Sequence, residues 1–121
     1  MQALIVDDSR TLRRILGNYL KELGFEVVEA GNGREALGQL RDGNQPDVVL
    51  VDWNMPEMNG LEFVKSVRAQ PTFRDLPLMM VTTETDVVHI AAALSAGANE
   101  YVMKPFTKEV IAEKLQLLGV L

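Results

Sequence analysis

Short apolar runs punctuate the chain, and each is followed by a stretch whose apolar residues recur every three or four positions. The runs are Ala3-Leu4-Ile5-Val6, Phe25 to Ala30, Val48-Val49-Leu50-Val51, Leu78-Met79-Met80-Val81 and Tyr101-Val102-Met103. Runs this short, apolar on both alternations and bounded by turn residues, read as buried strands of a parallel sheet. Between them the helical period is plain. Leu12, Ile15, Leu16, Tyr19, Leu20 and Leu23 predict the first helix, with Ser9 as N-cap and Gly24 as its stop. Asn32 opens the second, and Glu35 three residues on predicts a capping box ahead of Ala36, Leu37 and Leu40. Leu61, Val64, Val67 and Arg68 mark the third. The fourth spans about Asp86 to Ala96 and stops at Gly97; the fifth starts at Thr107, with Phe106 and Ile111 placed as a hydrophobic staple.

Strand and helix alternate five times along the chain. That order implies right-handed crossovers and a parallel sheet covered on both faces, a doubly wound α/β domain. The pattern alone does not give the strand order. It does say where to look for chemistry, because ligands of such sheets sit at the carboxyl ends of the strands. The first run ends in Asp7-Asp8, the third in Asp52, the fourth in Thr82-Thr83 and the fifth in Lys104-Pro105. Three carboxylates, a hydroxyl and an ammonium are thereby aimed at one edge of one sheet.

Composition narrows the classes. A length of 121 residues fits one compact domain, and 47% hydrophobic residues supply its core. Folding at this size hides roughly two-thirds of the unfolded surface. Twelve basic against 17 acidic residues give a net charge of −5, which argues against non-specific binding to nucleic acid or anionic membrane. With no Cys and a single His, disulfides, thiolate metal sites and His-rich zinc sites are excluded. The N-terminus offers no signal peptide and no stretch reads as a membrane span, so no membrane insertion and a cytoplasmic location are the expectation. The last helical pattern runs to Leu121, so one domain over 1–121 with no output domain is expected.

Carboxylates crowded together favour protonation unless a cation joins them. Oxygen-only ligands select a hard ion such as Mg²⁺. A divalent ion and the Lys104 ammonium together neutralise Asp7, Asp8 and Asp52. Such a pocket suits transfer of a phosphoryl group to an Asp carboxylate, chemistry that needs mainly positioning and charge neutralisation.

The motifs Asp7-Asp8-Ser9, Asp52-Trp53-Asn54-Met55-Pro56, Met58-Asn59-Gly60, Val81-Thr82 and Lys104-Pro105-Phe106 carry a resemblance over the whole chain. The sequence resembles the receiver domain of two-component response regulators, most closely those of chemotaxis. The resemblance implies a flavodoxin-like sheet of order 2-1-3-4-5; this order is taken over from the family, itself a stock example of the doubly wound rule. It implies Asp52 as phosphoacceptor from a histidine kinase. Mg²⁺ would be held by Asp8, Asp52 and the Asn54 backbone carbonyl, and by Asp7 through water. Lys104 and Thr82 would contact the phosphoryl oxygens, Tyr101 would follow Thr82 as a switch, and the Lys104-Pro105 peptide would be cis. The protein would be no enzyme beyond catalysing its own phosphorylation and dephosphorylation. It would signal to a downstream protein through the fourth helix, fifth strand and fifth helix. Rival readings are a receiver module of a longer regulator, a phosphorelay intermediate, and a small phosphotransferase, which would need a substrate pocket or cap. A nucleotide-binding module is disfavoured, since no glycine-rich phosphate loop follows any strand.

The chain departs from the family at two places. Thr83 stands where receivers usually carry Ala or Gly, and Asp86-Val87-Val88 stand where chemotaxis members carry basic residues. Val87, Ile90, Ala91 and Leu94 predict the core stripe of the fourth helix; Val88, Ala92 and Ala93 then leave it apolar nearly all round, as in a helix either buried on both sides or part of an exposed interaction patch. The output surface is accordingly expected to centre on Val87, Val88, Tyr101 and Lys114. Met55 and Met58 are expected to pack beside their loop, and His89 to be a solvated residue without a role.

Overall fold

Backbone hydrogen bonds align the apolar runs side by side in the computed structural model, which describes residues 1–121. The elements are β1 (Gln2–Val6), α1 (Arg10–Glu22), β2 (Glu26–Ala30), α2 (Gly33–Arg41), β3 (Val48–Val51), α3 (Gly60–Arg68), β4 (Leu78–Thr82), α4 (Val87–Ala96), β5 (Glu100–Met103) and α5 (Lys108–Leu117). A 3-10 turn, Pro71–Phe73, sits in the segment between α3 and β4. All pairings are parallel and the sheet order is β2-β1-β3-β4-β5, as the family resemblance implied. No helix is long and apolar enough to cross a membrane.

Alternation along each strand divides the core in two. Leu4, Val6, Val49, Val51, Leu78 and Met80 face one way and pack against α2, α3 and α4 through Leu37, Phe63, Val67 and Ala93. Ala3, Ile5, Val48, Leu50, Met79 and Val81 face the other way, against Leu16 and Leu20 of α1 and Ile111 and Leu115 of α5. Both faces are covered, which is why the central strands are apolar except at their ends, at Gln2 of β1 and Thr82 of β4.

Side-chain caps start the helices where the sequence placed them. Ser9 accepts from Leu12 N at 3.2 Å and Thr107 from Val110 N at 3.2 Å. The box predicted at Asn32 is only half formed. Asn32 accepts from Glu35 N at 2.8 Å, but the Glu35 carboxylate reaches back to Gly31 N at 3.0 Å rather than to the cap. A complete box instead starts α3, where Asn59 and Glu62 exchange bonds of 2.9 and 3.0 Å.

The expected core stripe of α4 is wrong. Val87, Val88 and Leu94 are 76%, 72% and 44% exposed, and Ala93 is the helix's one fully buried residue. A helix apolar on nearly every side leaves its rotational phase undetermined by periodicity. Packing against α3 and β5 decides it, and that close approach selects alanines. The C-terminal end of α4 is tied down by polar contacts: Arg68 donates to Gly97 O through Nε at 3.1 Å and Nη2 at 2.9 Å, and to Phe73 O at 2.7 Å. The N-terminal turn, with Val87 and Val88 in solvent, has no such apolar or guanidinium anchor.

The loop after β3 closes onto the start of α3, with Gly60 N donating to Trp53 O at 2.9 Å. A Cβ on Gly60 would collide with the Asp52 carbonyl and come within 2.9 Å of Trp53 Cα. Gly38, inside α2, has nothing within 4 Å of its virtual Cβ. Gly60→Ala is therefore expected to lower unfolding stability by about 1–3 kcal/mol, as overpacking does. Gly38→Ala should instead raise it by about 0.5–1 kcal/mol through helix propensity. Urea midpoints of the two variants read both effects; equal midpoints would refute the packing of this loop.

Candidate functional site

The parallel ladder continues one residue past the strand ends and sets the site residues side by side. Asp7 N donates to Ala30 O at 3.1 Å, Asp52 N to Val6 O at 3.0 Å and Lys104 N to Thr82 O at 2.9 Å. Alternation then sorts the side chains. Asp7, Asp52 and Lys104 keep the parity of Ile5, Leu50 and Val102, on the side of α1 and α5. Thr82 and Trp53 keep the parity of Met80 and Val51, on the side of α4. Carboxylate oxygens of Asp7, Asp8 and Asp52 lie within 4.8 Å of one another; Asp7 and Asp52 are buried, and Asp8 is exposed at the lip. Lys104 Nζ bridges the two buried ones, 2.8 Å from Asp7 Oδ2 and 3.1 Å from Asp52 Oδ2.

Burial by itself depresses the basicity of the Lys104 ammonium, but the hydrogen bond to Asp7 and the attraction of Asp52 outweigh it and raise its pKa above the ordinary lysine value. The ammonium therefore stays charged. Asp7 is further fixed by accepting from Ser9 N at 2.9 Å, and its carbonyl accepts from Arg13 Nη1 at 2.7 Å. Asp52 is held more loosely, by one 3.4 Å bond from Asn54 N. Three carboxylates facing one ammonium leave the cluster formally anionic. Its donors are all oxygen, with Asp8 open to solvent, so the set fits a hard divalent cation.

Thr82 is fully buried, and its hydroxyl accepts from Glu84 N at 3.2 Å; no hydrogen bond joins it to Asp52. The side chain of Asn54 is exposed, while its backbone N–H faces Asp52. Tyr101 is half-buried on β5 and donates its hydroxyl to Glu84 O at 2.9 Å. Thr83 is exposed on the rim of an apolar groove of ≈ 380 Å³, beside Lys104, Pro105 and Phe106 and opposite Leu12 and Ile15 of α1. The Lys104-Pro105 peptide is cis. Met55 and Met58 pack against the core beside their loop, as expected.

His89 is exposed, as expected, but it is not without contacts. Its ring stacks on Trp53 with centroids 5.0 Å apart and planes at 24°, and its Nδ1 lies 3.2 Å from Glu84 Oε1. The cause is again alternation, since the indole that follows Asp52 emerges on the α4 side. Arg13, Glu84 and this stack were missed in the sequence. A cation one turn after Ser9 was the only signal for Arg13. Nothing local links position 53 to position 89.

Comparison with known proteins follows this geometry closely. The profile of the response regulator receiver domain matches residues 3–116. The chain is 49% identical over 119 residues to the chemotaxis protein CheY1 of Helicobacter pylori, covering 98% of this chain and 96% of that protein. It is 50% identical over 117 residues to the chemotaxis protein CheY homolog of Campylobacter jejuni, covering 96% and 90%. The solved structure of the chemotaxis protein CheY4 of Vibrio cholerae superposes with a TM-score of 0.90 at 38% identity, covering 97% of each chain.

Burial, helped by the charges of Glu84 and Asp52, pushes the Tyr101 phenol up to about 12. A folded value above the ordinary 10 means the neutral phenol adds stability fully present below pH 10 and lost as pH rises through 12. In a Tyr19→Phe background, where Tyr101 is the remaining tyrosine, tyrosinate absorbance should therefore appear only near pH 12. Complete ionisation near pH 10 with far-UV circular dichroism intact would contradict the placement of the phenol.

Proposed function

The chain belongs to the response regulator receiver family, and we propose that it works as a phosphoryl-accepting switch with Asp52 as the acceptor. The observation that carries this reading is the Lys104 ammonium bridging Asp7 and Asp52 inside a cluster of three carboxylates. A carboxylate oxygen of Asp52 attacks phosphorus on a phosphohistidine of a histidine kinase; the O–P bond forms as the N–P bond breaks, and the imidazole leaves. The loose hold on Asp52, one long bond besides the Lys104 contact, leaves an oxygen lone pair free to react. Lys104 is already within reach of the incoming phosphoryl oxygens, and the Thr82 hydroxyl turns from Glu84 N to bond them.

Asp8, Asp52 and the Asn54 carbonyl would hold Mg²⁺, with Asp7 acting through water, and the ion would supply charge neutralisation for an anionic donor approaching an anionic acceptor. The chemistry ends at this chain's own modification and its reversal. Output passes by differential affinity of a protein partner for the two states. We place it on α4, β5 and α5, where Val87 and Val88 are exposed, Tyr101 borders the loop after β4, and Lys114 pairs with Glu100 at 3.3 Å. The surface opens with Asp86, Val87 and Val88, so an apolar partner face suits it better than an acidic one. The chain spans 90–96% of the length of the curated chemotaxis proteins it resembles.

With an acyl phosphate and Mg²⁺, label should enter wild type and be released by hydroxylamine. Asp52→Asn keeps the shape and should take up none; labelling equal to wild type would reassign the acceptor. Val88→Asp should label normally yet bind the partner about 5-fold or more weakly, the low end of typical allosteric coupling. Unchanged partner affinity would remove α4 from the output surface.

A further inference from the structure

Two routes lead from the phosphoacceptor to α4, and they meet at one residue. On the first, Thr82 Oγ accepts from Glu84 N at 3.2 Å. On the second, Trp53, next in sequence to Asp52, carries the His89 ring on its indole, and that ring lies 3.2 Å from Glu84 Oε1. Glu84 also receives the Tyr101 hydroxyl on its carbonyl at 2.9 Å and accepts from Asp86 N, the N-cap of α4, at 2.9 Å. Its backbone N–H, carbonyl and carboxylate are thus all committed to the parts that have to move together.

The mechanical setting favours the second route. The far end of α4 is held by the Arg68 guanidinium on Gly97 O. The near turn exposes Val87 and Val88 and buries nothing large. His89 is the first side chain of α4 to rest on an anchored group, since the Trp53 indole is only 8% exposed and its backbone carbonyl is pinned by Gly60 N. A stacked aromatic pair has a preferred offset and tilt, so displacing one ring displaces or breaks the other.

We propose that His89 is a positioning residue: by stacking on Trp53 it transmits movement of the phosphoacceptor loop directly to the first turn of α4. The Glu84 carboxylate holds the imidazole flat against the indole. Thr82 then shifts the loop before α4 while Trp53 shifts the helix itself, and the two displacements agree at Glu84. The inference rests on Asp52 as the acceptor, and its test separates the two claims.

His89→Ala and His89→Phe are prepared in the full chain and compared with wild type by three readouts. Trp53 emission is read without any phosphoryl donor. Incorporation of label from an acyl phosphate with Mg²⁺ reports on Asp52. Amide shifts of residues 84–90 on phosphorylation report on α4. The His89→Ala variant should red-shift Trp53 emission by exposing the indole, take up label as wild type does, and lose the α4 response about five-fold, the scale of a modest coupling. His89→Phe, which restores a ring on the indole without a bond to Glu84, should recover both emission and response. A full α4 response in His89→Ala overturns the proposal. So does a His89→Phe variant with wild-type emission whose α4 response stays lost. If wild type takes up no label, the acceptor assignment fails instead, and the emission arm still decides whether the stack exists.

Discussion

The Lys104 ammonium lies between two buried carboxylates, and the rest of the site is arranged around that contact. Asp7 and Asp52 are each under a tenth exposed, and two like charges so placed would lose much of their hydration with nothing in return. Lys104 answers both at 2.8 and 3.1 Å. It arrives there because the β5 ladder runs one bond beyond Met103, to Thr82 O, before the chain turns at the cis Lys104-Pro105 peptide. Removing the ammonium would leave a buried pair uncompensated, which is the costly way to break an ion pair. The same contact leaves the cluster one cation short of balance. That deficit suits a divalent ion, and under the proposed function the ion's charge is what would let a phosphoryl group approach.

Strand periodicity does the remaining sorting. Side chains one residue apart at the end of β3 point to opposite faces, so Asp52 joins Asp7 and Lys104 while Trp53 goes to the α4 side. Thr82 does the same at the end of β4. The carboxylate cluster and the α4 side are therefore back to back across one sheet edge, separated by single peptide units. Under the proposed function, movement of the loop after Asp52 would need no long wire to reach α4, because the Trp53–His89 stack and the Thr82–Glu84 bond begin next to that residue and at the end of β4. α4 is suited to respond: its far end is fastened by Arg68 and its near end rests on polar and aromatic contacts alone.

Much of this could be read from the chain. Fully apolar runs gave away buried parallel strands, and the residues ending them converge as strand-end logic requires, Asp7, Asp8, Asp52 and Lys104 within one cluster. The strand order came from resemblance, since periodicity is blind to which strands are neighbours. α4 defeated the pattern for a physical reason. With alanines and large aliphatics on every side, burial is decided by how closely α3 lets the helix approach, and the close fit buries Ala93 while leaving Val87 and Leu94 outside. His89 and Arg13 were illegible because their partners, Trp53 and the Asp7 carbonyl, are tertiary. The capping box misread at Glu35 shows the same limit on a small scale, where a carboxylate one residue off its target finds Gly31 N instead.

Under the proposed function, a phosphoryl group enters the space framed by Asp52, Lys104 and Thr82 and nowhere else. Fluoroberyllate, a mimic of that group, tests this most directly when titrated with Mg²⁺ and followed by ¹⁹F NMR. Saturable bound-fluoride signals at one equivalent are expected for wild type, abolished in Asp52→Asn and displaced in Lys104→Ala, where the ammonium facing the fluorides is gone. Bound signals that persist unchanged in Asp52→Asn would contradict the account.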